Sequence, residues 1–320
     1  MSEASERLEL PSPESAIALA GEREENLKFL ADRTGTRLVL RGQELFVLGQ
    51  PKAVGRCTEL VRSLEPYWRE GKAVTRAELQ MALQARDGDR LKDLQALQQD
   101  VLARTRRGEA IRAKTFRQRQ YVQAIRSHDI TFGVGPAGTG KTYLAAVIAV
   151  RALLDGDYER LILTRPAVEA GERLGFLPGD LQQKVDPFLR PLYDAIYEFI
   201  DPEKLPELME RGVIEVAPLA YMRGRTLNKC FAIVDEAQNT TPAQIKMMLT
   251  RLGFGSRMVI TGDLTQTDLP SDRDSGLQVA LKILRSVSGI AICELSAADV
   301  VRHPLVQEIV AAYERYENRQ

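Results

Sequence analysis

The chain has 320 residues, 44% of them hydrophobic and 28% charged, which is typical of a folded globular protein with about two domains. Its formal net charge is zero, so no global field attracts nucleic acid, and any such binding must use a local basic patch. No apolar run approaches the roughly 20 residues of a membrane-spanning helix, and three scattered cysteines match neither a metal-binding spacing nor a disulfide framework.

The first part of the chain predicts a small α+β unit behind a short leader. Residues 1–7 are polar and acidic, unlike a secretory signal peptide, so we expect a disordered leader and a cytoplasmic protein. Within residues 8–65, Leu8–Leu10 fits an edge strand, and two β-type runs, Arg37–Arg41 and Glu44–Leu48, are separated by a glycine turn typical of a hairpin. Pro51 then opens a helix, because proline suits the first helical turn.

Residues 66–112 predict a charged helical and basic linker. Five leucines at helical spacing suggest one apolar face, which is more typical of a core than of a partner surface. They are Leu79, Leu83, Leu91, Leu94 and Leu97. The segment Arg104–Arg119 carries seven basic residues against one acid, Glu109. It is either a basic arm that neutralises phosphates or a solvated linker.

Residues 113–320 predict a parallel α/β domain. Near-continuous apolar runs alternate with helical patterns, which indicates a parallel sheet with helices on both faces. The predicted strands are Ile130–Val134, Leu161–Thr164, Val213–Val216, Phe231–Val234, Met258–Thr261 and Ile290–Cys293.

A glycine-rich segment after the first of these strands matches the P-loop spacing. It consists of Gly135, Pro136, Ala137, Gly138, Thr139, Gly140, Lys141 and Thr142. A strand, a glycine turn and a helix N-terminus form a cradle in which backbone N–H groups point at phosphates. Lys141 would reach the β- and γ-phosphates of ATP, and the Thr142 hydroxyl would ligate Mg²⁺. A purely structural glycine turn is the alternative.

A later apolar strand, Phe231–Val234, ends in two acids. Asp235 would hold Mg²⁺ through the water shell of the metal, and Glu236 would orient and polarise an attacking water. The alternative is a strand that ends in two exposed acids without a catalytic role.

Further positions are predicted around the nucleotide. Gln266, in the loop Gly262–Gln266 after another strand, would touch the γ-phosphate or the water, and Asp263 would hold that loop. Gln118 would hydrogen-bond an adenine edge, since an amide offers a donor and an acceptor together, and an exposed glutamine is the alternative. Arg302 would act as an arginine finger or form a surface ion pair.

These motifs resemble those of the PhoH-like ATPases, whose core looks like the ATPase half of superfamily-1 helicases. The matching segments are Gly135–Thr142, Thr164–Glu169, Leu174–Gly179, Met222–Thr226, Asp235–Gln238, Gly262–Gln266 and Asp299–Pro304. The resemblance covers residues 113–315 and implies an α/β P-loop NTPase with a RecA-like parallel sheet. Residues 8–65 are similar to the KH-like segment of the long members, although Gly21 is not followed by the second glycine of a KH phosphate clamp.

The resemblance also implies a role in RNA metabolism, with an endoribonuclease as a partner. Arg165, Arg223 and Arg225 are predicted in loops beside the nucleotide crevice, where they would contact an RNA backbone or the phosphate of a neighbouring subunit. The chain is long enough for one core, so translocation would require a homo-oligomer such as a hexameric ring. The sequence therefore predicts a Mg²⁺-dependent ATPase coupled to RNA. An alternative function is a nucleotide-timed switch that controls the docking of a protein partner. A small-molecule kinase is disfavoured, because a glutamate next to Asp235 suits attack by water.

Overall fold

The computed structural model describes residues 4–87, 91–166, 193–270, 274–301 and 304–317. The contacts within the chain divide it into two compact units. The N-terminal domain comprises residues 1–100 with 114–116, and the C-terminal domain comprises residues 101–113 with 117–320. Within the described ranges, no helix is long and apolar enough to cross a membrane.

A three-stranded antiparallel sheet and a set of helices build the N-terminal domain. The strands are β1 (Ala4–Glu9), β2 (Arg37–Arg41) and β3 (Glu44–Gly49), in the spatial order β1-β3-β2. The helices are α1 (Pro13–Ala20), α2 (Glu25–Thr34), α3 (Pro51–Ser63), α4 (Glu65–Trp68), α5 (Arg76–Asp87) and α6 (Leu91–Gln99). Sheet and helices enclose one apolar core that includes Leu30, Leu45 and Trp68. This confirms the predicted α+β unit.

The predicted disordered leader at residues 1–7 is wrong in its second half. Strand β1 begins at Ala4, and its side chains alternate between half-buried and exposed. The strand pairs with β3 along its whole length, and Arg7 forms an ion pair with Glu44 of β3. The edge strand predicted at Leu8–Leu10 therefore exists but begins earlier and ends at Glu9. An edge strand can satisfy its backbone through the sheet while its side chains stay polar, so hydrophobic periodicity does not reveal the first half of β1.

The predicted linker at residues 66–112 is wrong over its helical part. Helices α5 and α6 carry Leu79, Leu94 and Leu97, which are buried in the core of the N-terminal domain. The leucine stripe is thus a core face, as predicted, but the domain extends to residue 100 rather than 65. The high charge of the segment belongs to the solvent side of amphipathic helices, which is why it suggests a linker.

The C-terminal domain contains a six-stranded sheet in which every neighbouring pair is parallel. A short hairpin of β4 (Ala103–Arg104) and β5 (Ala110–Ile111) precedes it. The sheet strands are β6 (Ile130–Val134), β7 (Arg160–Arg165), β8 (Ile214–Pro218), β9 (Cys230–Val234), β10 (Arg257–Gly262) and β11 (Ile290–Glu294). Their spatial order is β11-β6-β10-β9-β7-β8. All six predicted strands are confirmed, with small shifts at their ends.

Helices cover both faces of this sheet. They are α7 (Phe116–Ser127), α8 (Lys141–Leu154), α9 (Leu205–Glu210), α10 (Pro242–Leu249) and α11 (Gly276–Leu284). A further helix, α12 (Pro304–Glu317), follows β11 in the chain and exposes Val306, Ile309 and Tyr313. Alternate residues of β9 enter two different cores, since Phe231 packs with α8 and Ala232 packs with α10 and α11. The predicted α/β architecture with a covered parallel sheet is therefore confirmed.

The register of the sheet brings the ends of three central strands together. Val134 of β6 pairs with Gly262 of β10, and Val234 of β9 pairs with Ile260 of β10. Because parallel strands run in one direction, the loops after β6, β9 and β10 leave the sheet at the same edge. Those loops contain the P-loop, the two acids and the segment that begins with Asp263.

Candidate functional site

The loop between β6 and α8 has the backbone of a phosphate cradle. Gly138 and Gly140 have φ angles of 83° and 80°, in the left-handed region that glycine adopts without steric cost. Gly135 has a φ of 154°, and a Cβ there would lie 2.5 Å from the carbonyl oxygen of Leu295. Helix α8 begins directly after the loop at Lys141, so its free N–H groups are available to an anion.

Lys141 folds back onto this loop. Its Nζ donates to the carbonyl oxygens of Gly135 and Pro136 at 2.6 and 2.8 Å. Burial lowers the pKa of the ammonium, and nearby carboxylates, first that of Asp263, oppose the shift. A desolvated cation held by neutral carbonyls gains acceptors of opposite charge when phosphate oxygens take the place of those carbonyls. The side chain is thus suited to bind the phosphates of a nucleotide.

Thr142 and Asp235 meet at the edge of the sheet. The Thr142 hydroxyl donates to Oδ1 of Asp235 at 2.6 Å, and the Thr261 hydroxyl donates to the same oxygen at 2.7 Å. Hydroxyl and carboxylate oxygens suit Mg²⁺, which keeps several waters and takes few protein ligands beside phosphates. The residues present therefore fit this metal. No group of three His, Cys, Asp or Glu side chains that could hold a metal occurs among the described residues.

Glu236 lies beside Asp235 with both carboxylate oxygens engaged. Its Oε1 is 3.4 Å from Nη2 of Arg165, and its Oε2 accepts a hydrogen bond from Nε2 of Gln238 at 2.5 Å. The φ of Glu236 is 51°, an uncommon value for a residue with a side chain. Backbone and partners together set the direction in which this carboxylate points.

Gln238 connects Glu236 to the loop after β10 and is missing from the site residues that the sequence predicts. Its Oε1 accepts from the backbone N–H of Asp263 at 3.0 Å, and its side chain is buried. The sequence contains a signal, because an amide at the end of a buried strand needs buried hydrogen-bond partners. Which partners it finds depends on the register between β9 and β10, which the sequence pattern does not give.

Asp263 ties the loop after β10 to the P-loop. Its Oδ2 accepts from the backbone N–H of Ala137 at 3.2 Å. Its Oδ1 accepts from the backbone N–H and the hydroxyl of Thr265 at 3.0 and 2.7 Å. Gln266 is exposed in the same loop, and it lines a cleft of about 260 Å³ together with the P-loop and both acids. The structure therefore brings Lys141, the two acids and Gln266 to one cleft.

Gln118, the predicted adenine contact, is buried beside the P-loop, and the adenine contact stays a prediction. Its side chain is 3% exposed, and its Nε2 donates to the carbonyl oxygens of Thr139 and Asp299 at 3.1 and 3.4 Å. The amide thus joins the P-loop to the segment after β11. These partners are 21 and 181 residues away in the chain, so the sequence could not reveal them. A bidentate adenine contact through the amide would require Nε2 to release one of these two carbonyls.

The segment after β11 lies against the P-loop. The backbone N–H of Val301 donates to the carbonyl oxygen of Gly138 at 3.1 Å, and Asp299 lies 3.6 Å from Nη1 of Arg117. Arg302, the predicted arginine finger, follows Val301 directly and lies outside the described residues. Its role stays a prediction.

The arginines predicted to contact RNA or a neighbouring subunit have different surroundings. Arg165 ends β7 and reaches Glu236, while Arg223 is exposed after β8. Arg225 donates to both carboxylate oxygens of Glu215 at 2.5 and 2.7 Å, and this hydrogen bonding raises the pKa of the guanidinium. A phosphate contact at Arg225 would first have to break a bidentate ion pair.

The phosphate cradle, the oxygen ligands for Mg²⁺ and the adjacent glutamate, all at the carboxyl edge of one parallel sheet, are the working parts of P-loop nucleoside-triphosphate hydrolases. Fold and site place the chain in that class. Within it, the chain belongs to the family of PhoH-like proteins, whose profile matches residues 110–314.

Relatives of this family cover much or nearly all of the chain. The PhoH-like protein of Synechocystis sp. is 69% identical over 99% of this chain and 97% of its own length. The PhoH-like protein of Bacillus subtilis is 48% identical over 96% of each chain. Protein PhoH of Escherichia coli is 42% identical over 63% of this chain and 58% of its own length. The first two alignments span both domains.

Solved structures show a much weaker likeness. A SWI2/SNF2 ATPase core of Sulfolobus solfataricus in complex with dsDNA covers 46% of this chain and 31% of its own, at 14% identity and a TM-score of 0.31. A PRRSV helicase covers 58% and 35%, at 16% identity and a TM-score of 0.27. Neither structure is similar enough to define the fold of this chain, which is defined by the order and direction of its strands.

Proposed function

We propose that the protein is a Mg²⁺-dependent ATPase whose hydrolysis is coupled to the binding or remodelling of RNA. The observation that carries the hydrolytic part is the position of Glu236, next to Asp235 and at the cleft lined by Lys141 and Gln266. A carboxylate there can hydrogen-bond a water in line with the γ-phosphate. A kinase would instead need the hydroxyl or other acceptor group of a second substrate at the position of this water.

Each residue of the cleft has a part in the proposed reaction. The loop N–H groups and the Lys141 ammonium bind the phosphates of ATP. Mg²⁺, when held by Thr142 and Asp235, supplies positive charge to the phosphate oxygens. Glu236 orients the water for attack on the γ-phosphate and takes up its proton. Gln266 contacts the γ-phosphate and responds to its departure, so its loop changes with the nucleotide state.

The RNA part is supported by local basic surface on a chain without net charge. The hairpin of β4 and β5 exposes Arg104, Arg106 and Arg107, and Arg165 contacts Glu236 of the cleft. Arg106 also lies 3.6 Å from Asp201, but an exposed pair of this kind contributes little and is easily exchanged. Guanidinium groups bind the phosphate oxygens of a nucleic-acid backbone well.

Coupling between the two ligands tests the RNA part. We expect single-stranded RNA to raise kcat for ATP hydrolysis. We also expect a non-hydrolysable ATP analogue to change RNA affinity by the same factor by which RNA changes the affinity for the analogue, since coupling between binding sites is reciprocal. Phosphate release and fluorescence anisotropy of a labelled oligouridylate measure the two effects. Arg106→Ala combined with Arg107→Ala should weaken RNA binding and reduce its salt dependence. Turnover that ignores RNA would favour a nucleotide-timed switch that docks a protein partner, such as an endoribonuclease.

We also propose that the protein works in the cytoplasm as a homo-oligomer, such as a hexameric ring. Translocation along a strand uses two cores that close on one nucleotide, and the described C-terminal domain supplies one sheet of this kind. A neighbouring subunit would complete the site, with Arg302 or Arg225 as the residue that crosses the boundary. Light scattering with and without ATP tests this proposal, and a monomer under both conditions would contradict it.

A further inference from the structure

The carboxylate of Glu236 is restrained from two sides. One partner is Gln238, whose amide is fixed in turn by the backbone of Asp263 beside the P-loop. The other is Arg165, whose Nη2 lies 3.4 Å from Oε1 and whose side chain is 23% exposed. Glu236 therefore has two partners of different kinds. Gln238 connects it to the P-loop through Asp263, and Arg165 is a partly exposed cation that a second ligand can contact.

The sheet fixes the place of Arg165. Thr164, the residue before it, pairs with Val234 of β9, so Arg165 and Glu236 leave neighbouring strands at the same edge. The backbone N–H of Asp235 donates to the carbonyl oxygen of Thr164 at 2.8 Å. Because the two backbones are joined here, the contact between Arg165 and Glu236 changes only through their side chains.

The ion pair opposes the use of Glu236 in hydrolysis. A carboxylate that orients a water must offer that water an oxygen. The guanidinium of Arg165 competes with the water for Oε1, while Gln238 occupies Oε2. A phosphate is at least as good a partner for a guanidinium as a carboxylate is, because both accept two parallel hydrogen bonds. A single strand of RNA presents phosphates at high local density.

We propose that Arg165 restrains Glu236 when RNA is absent, and that RNA stimulates ATP hydrolysis by drawing the Arg165 guanidinium onto a backbone phosphate. This inference rests on the ATPase function proposed above. Arg165 is then a positioning residue, which acts through Glu236 and not on the nucleotide. The change is an exchange of ion-pair partners, in which no covalent bond forms or breaks.

The variant Arg165→Ala separates this role from two others. We expect kcat without RNA to rise by up to about fivefold, since a partly exposed ion pair shifts an equilibrium by no more than roughly that factor. The KM for ATP should stay the same, and stimulation by oligouridylate should disappear. A fall in kcat would mean that Arg165 stabilises the γ-phosphate, and it would overturn the proposal. An unchanged kcat with intact stimulation, the mark of a structural side chain, would also overturn it.

Two further variants serve as controls. Arg160→Ala removes the same type of side chain from the other end of β7, where Arg160 donates to the carbonyl oxygen of Asn228. It should keep both the kcat without RNA and the stimulation by RNA. Arg165→Lys keeps the charge but loses the planar fork, so its kcat without RNA should lie between wild type and Arg165→Ala. Thermal melting checks that all variants are folded.

The double variant Arg165→Ala with Glu236→Gln distinguishes a failure of the proposed restraint from a failure of the proposed ATPase mechanism. If Arg165 acts through Glu236, the gain in turnover is lost in the double variant, and a gain that persists there overturns the restraint. Turnover that persists in Glu236→Gln alone would overturn the assignment of Glu236 as the catalytic base instead. Heparin supplies polyanionic charge without nucleotides, and stimulation equal to that by oligouridylate would overturn RNA as the ligand.

Discussion

Gly133 gives Tyr121 the space it needs beneath the start of α8. A Cβ at Gly133 would lie 2.6 Å from the ring of the fully buried Tyr121, whose hydroxyl donates to the carbonyl oxygen of Lys141 at 3.2 Å. We predict that Gly133→Ala lowers the free energy of unfolding by about 1–3 kcal/mol, the usual cost of overpacking. Nucleotide affinity should fall as well, because the ring supports the backbone of Lys141. Thermal unfolding and nucleotide titration measure the two effects, and wild-type values for both would contradict the prediction.

Burial raises the pKa of the Cys293 thiol to about 11, from an ordinary value of 9.0. The folded protein keeps a proton that the unfolded chain releases, so the contribution of this thiol to stability is complete below pH 9.0 and declines as the pH rises towards 11. We predict that native Cys293 reacts slowly with iodoacetamide at pH 9.0 and faster as the pH approaches 11. Mass spectrometry measures the rate at this residue. A rate at pH 9.0 equal to that of the unfolded chain would contradict the prediction.

Single residues were predictable from the sequence where their chemistry is local. The P-loop needs only one glycine-rich segment between a strand and a helix, so its spacing reveals it. Gln118 and Gln238 are different, because their partners come from distant segments that meet through the sheet register. The pairing of Arg165 with Glu236 is of the same kind, since it depends on which strands are neighbours.

At the scale of elements, helices α5 and α6 are part of a folded domain and not of a linker. Leu94 of α6 is fully buried in the same core as Trp68, the single tryptophan of the chain. We predict that Leu94→Ala lowers the unfolding free energy of the N-terminal domain by about 2–5 kcal/mol. Trp68 fluorescence during urea unfolding measures this domain. Ile17→Ala, at a side chain that is 70% exposed, is the control and should change little. Equal midpoints for Leu94→Ala and wild type would restore the linker interpretation.

The parallel sheet was more predictable than the edge strand β1. Strands of a covered sheet are apolar on both faces, so β9 and β10 appear in the sequence as short continuous hydrophobic runs. Strand β1 is predicted only in its second part, near Leu8, because its first half is polar and is defined by its pairing with β3. The order of strands within the sheet is likewise a property of packing. The sequence pattern predicts where each strand lies in the chain but not which strands are adjacent in the sheet.

At the scale of the whole molecule, the hydrolytic cleft exists only in the folded C-terminal domain. Its lining comes from the P-loop, the end of β9 and the loop after β10, which are far apart in the chain. Gln238 and Asp263 join these segments by hydrogen bonds. A change at the γ-phosphate can therefore reach Glu236 and Arg165 through direct contacts, which is the physical basis of the coupling that we propose above.

The role of Glu236 is tested most directly by measuring ATP affinity and phosphate release for Glu236→Gln beside wild type. An amide of the same size cannot take up the proton of the attacking water, so we expect ATP to bind with similar affinity while kcat falls at least about 100-fold. Asp235→Asn provides the comparison. Because it weakens the hold on Mg²⁺, it should raise the Mg²⁺ concentration that both ATP binding and phosphate release require. Phosphate release by Glu236→Gln at the wild-type rate would contradict the assignment of this carboxylate as the group that prepares the water.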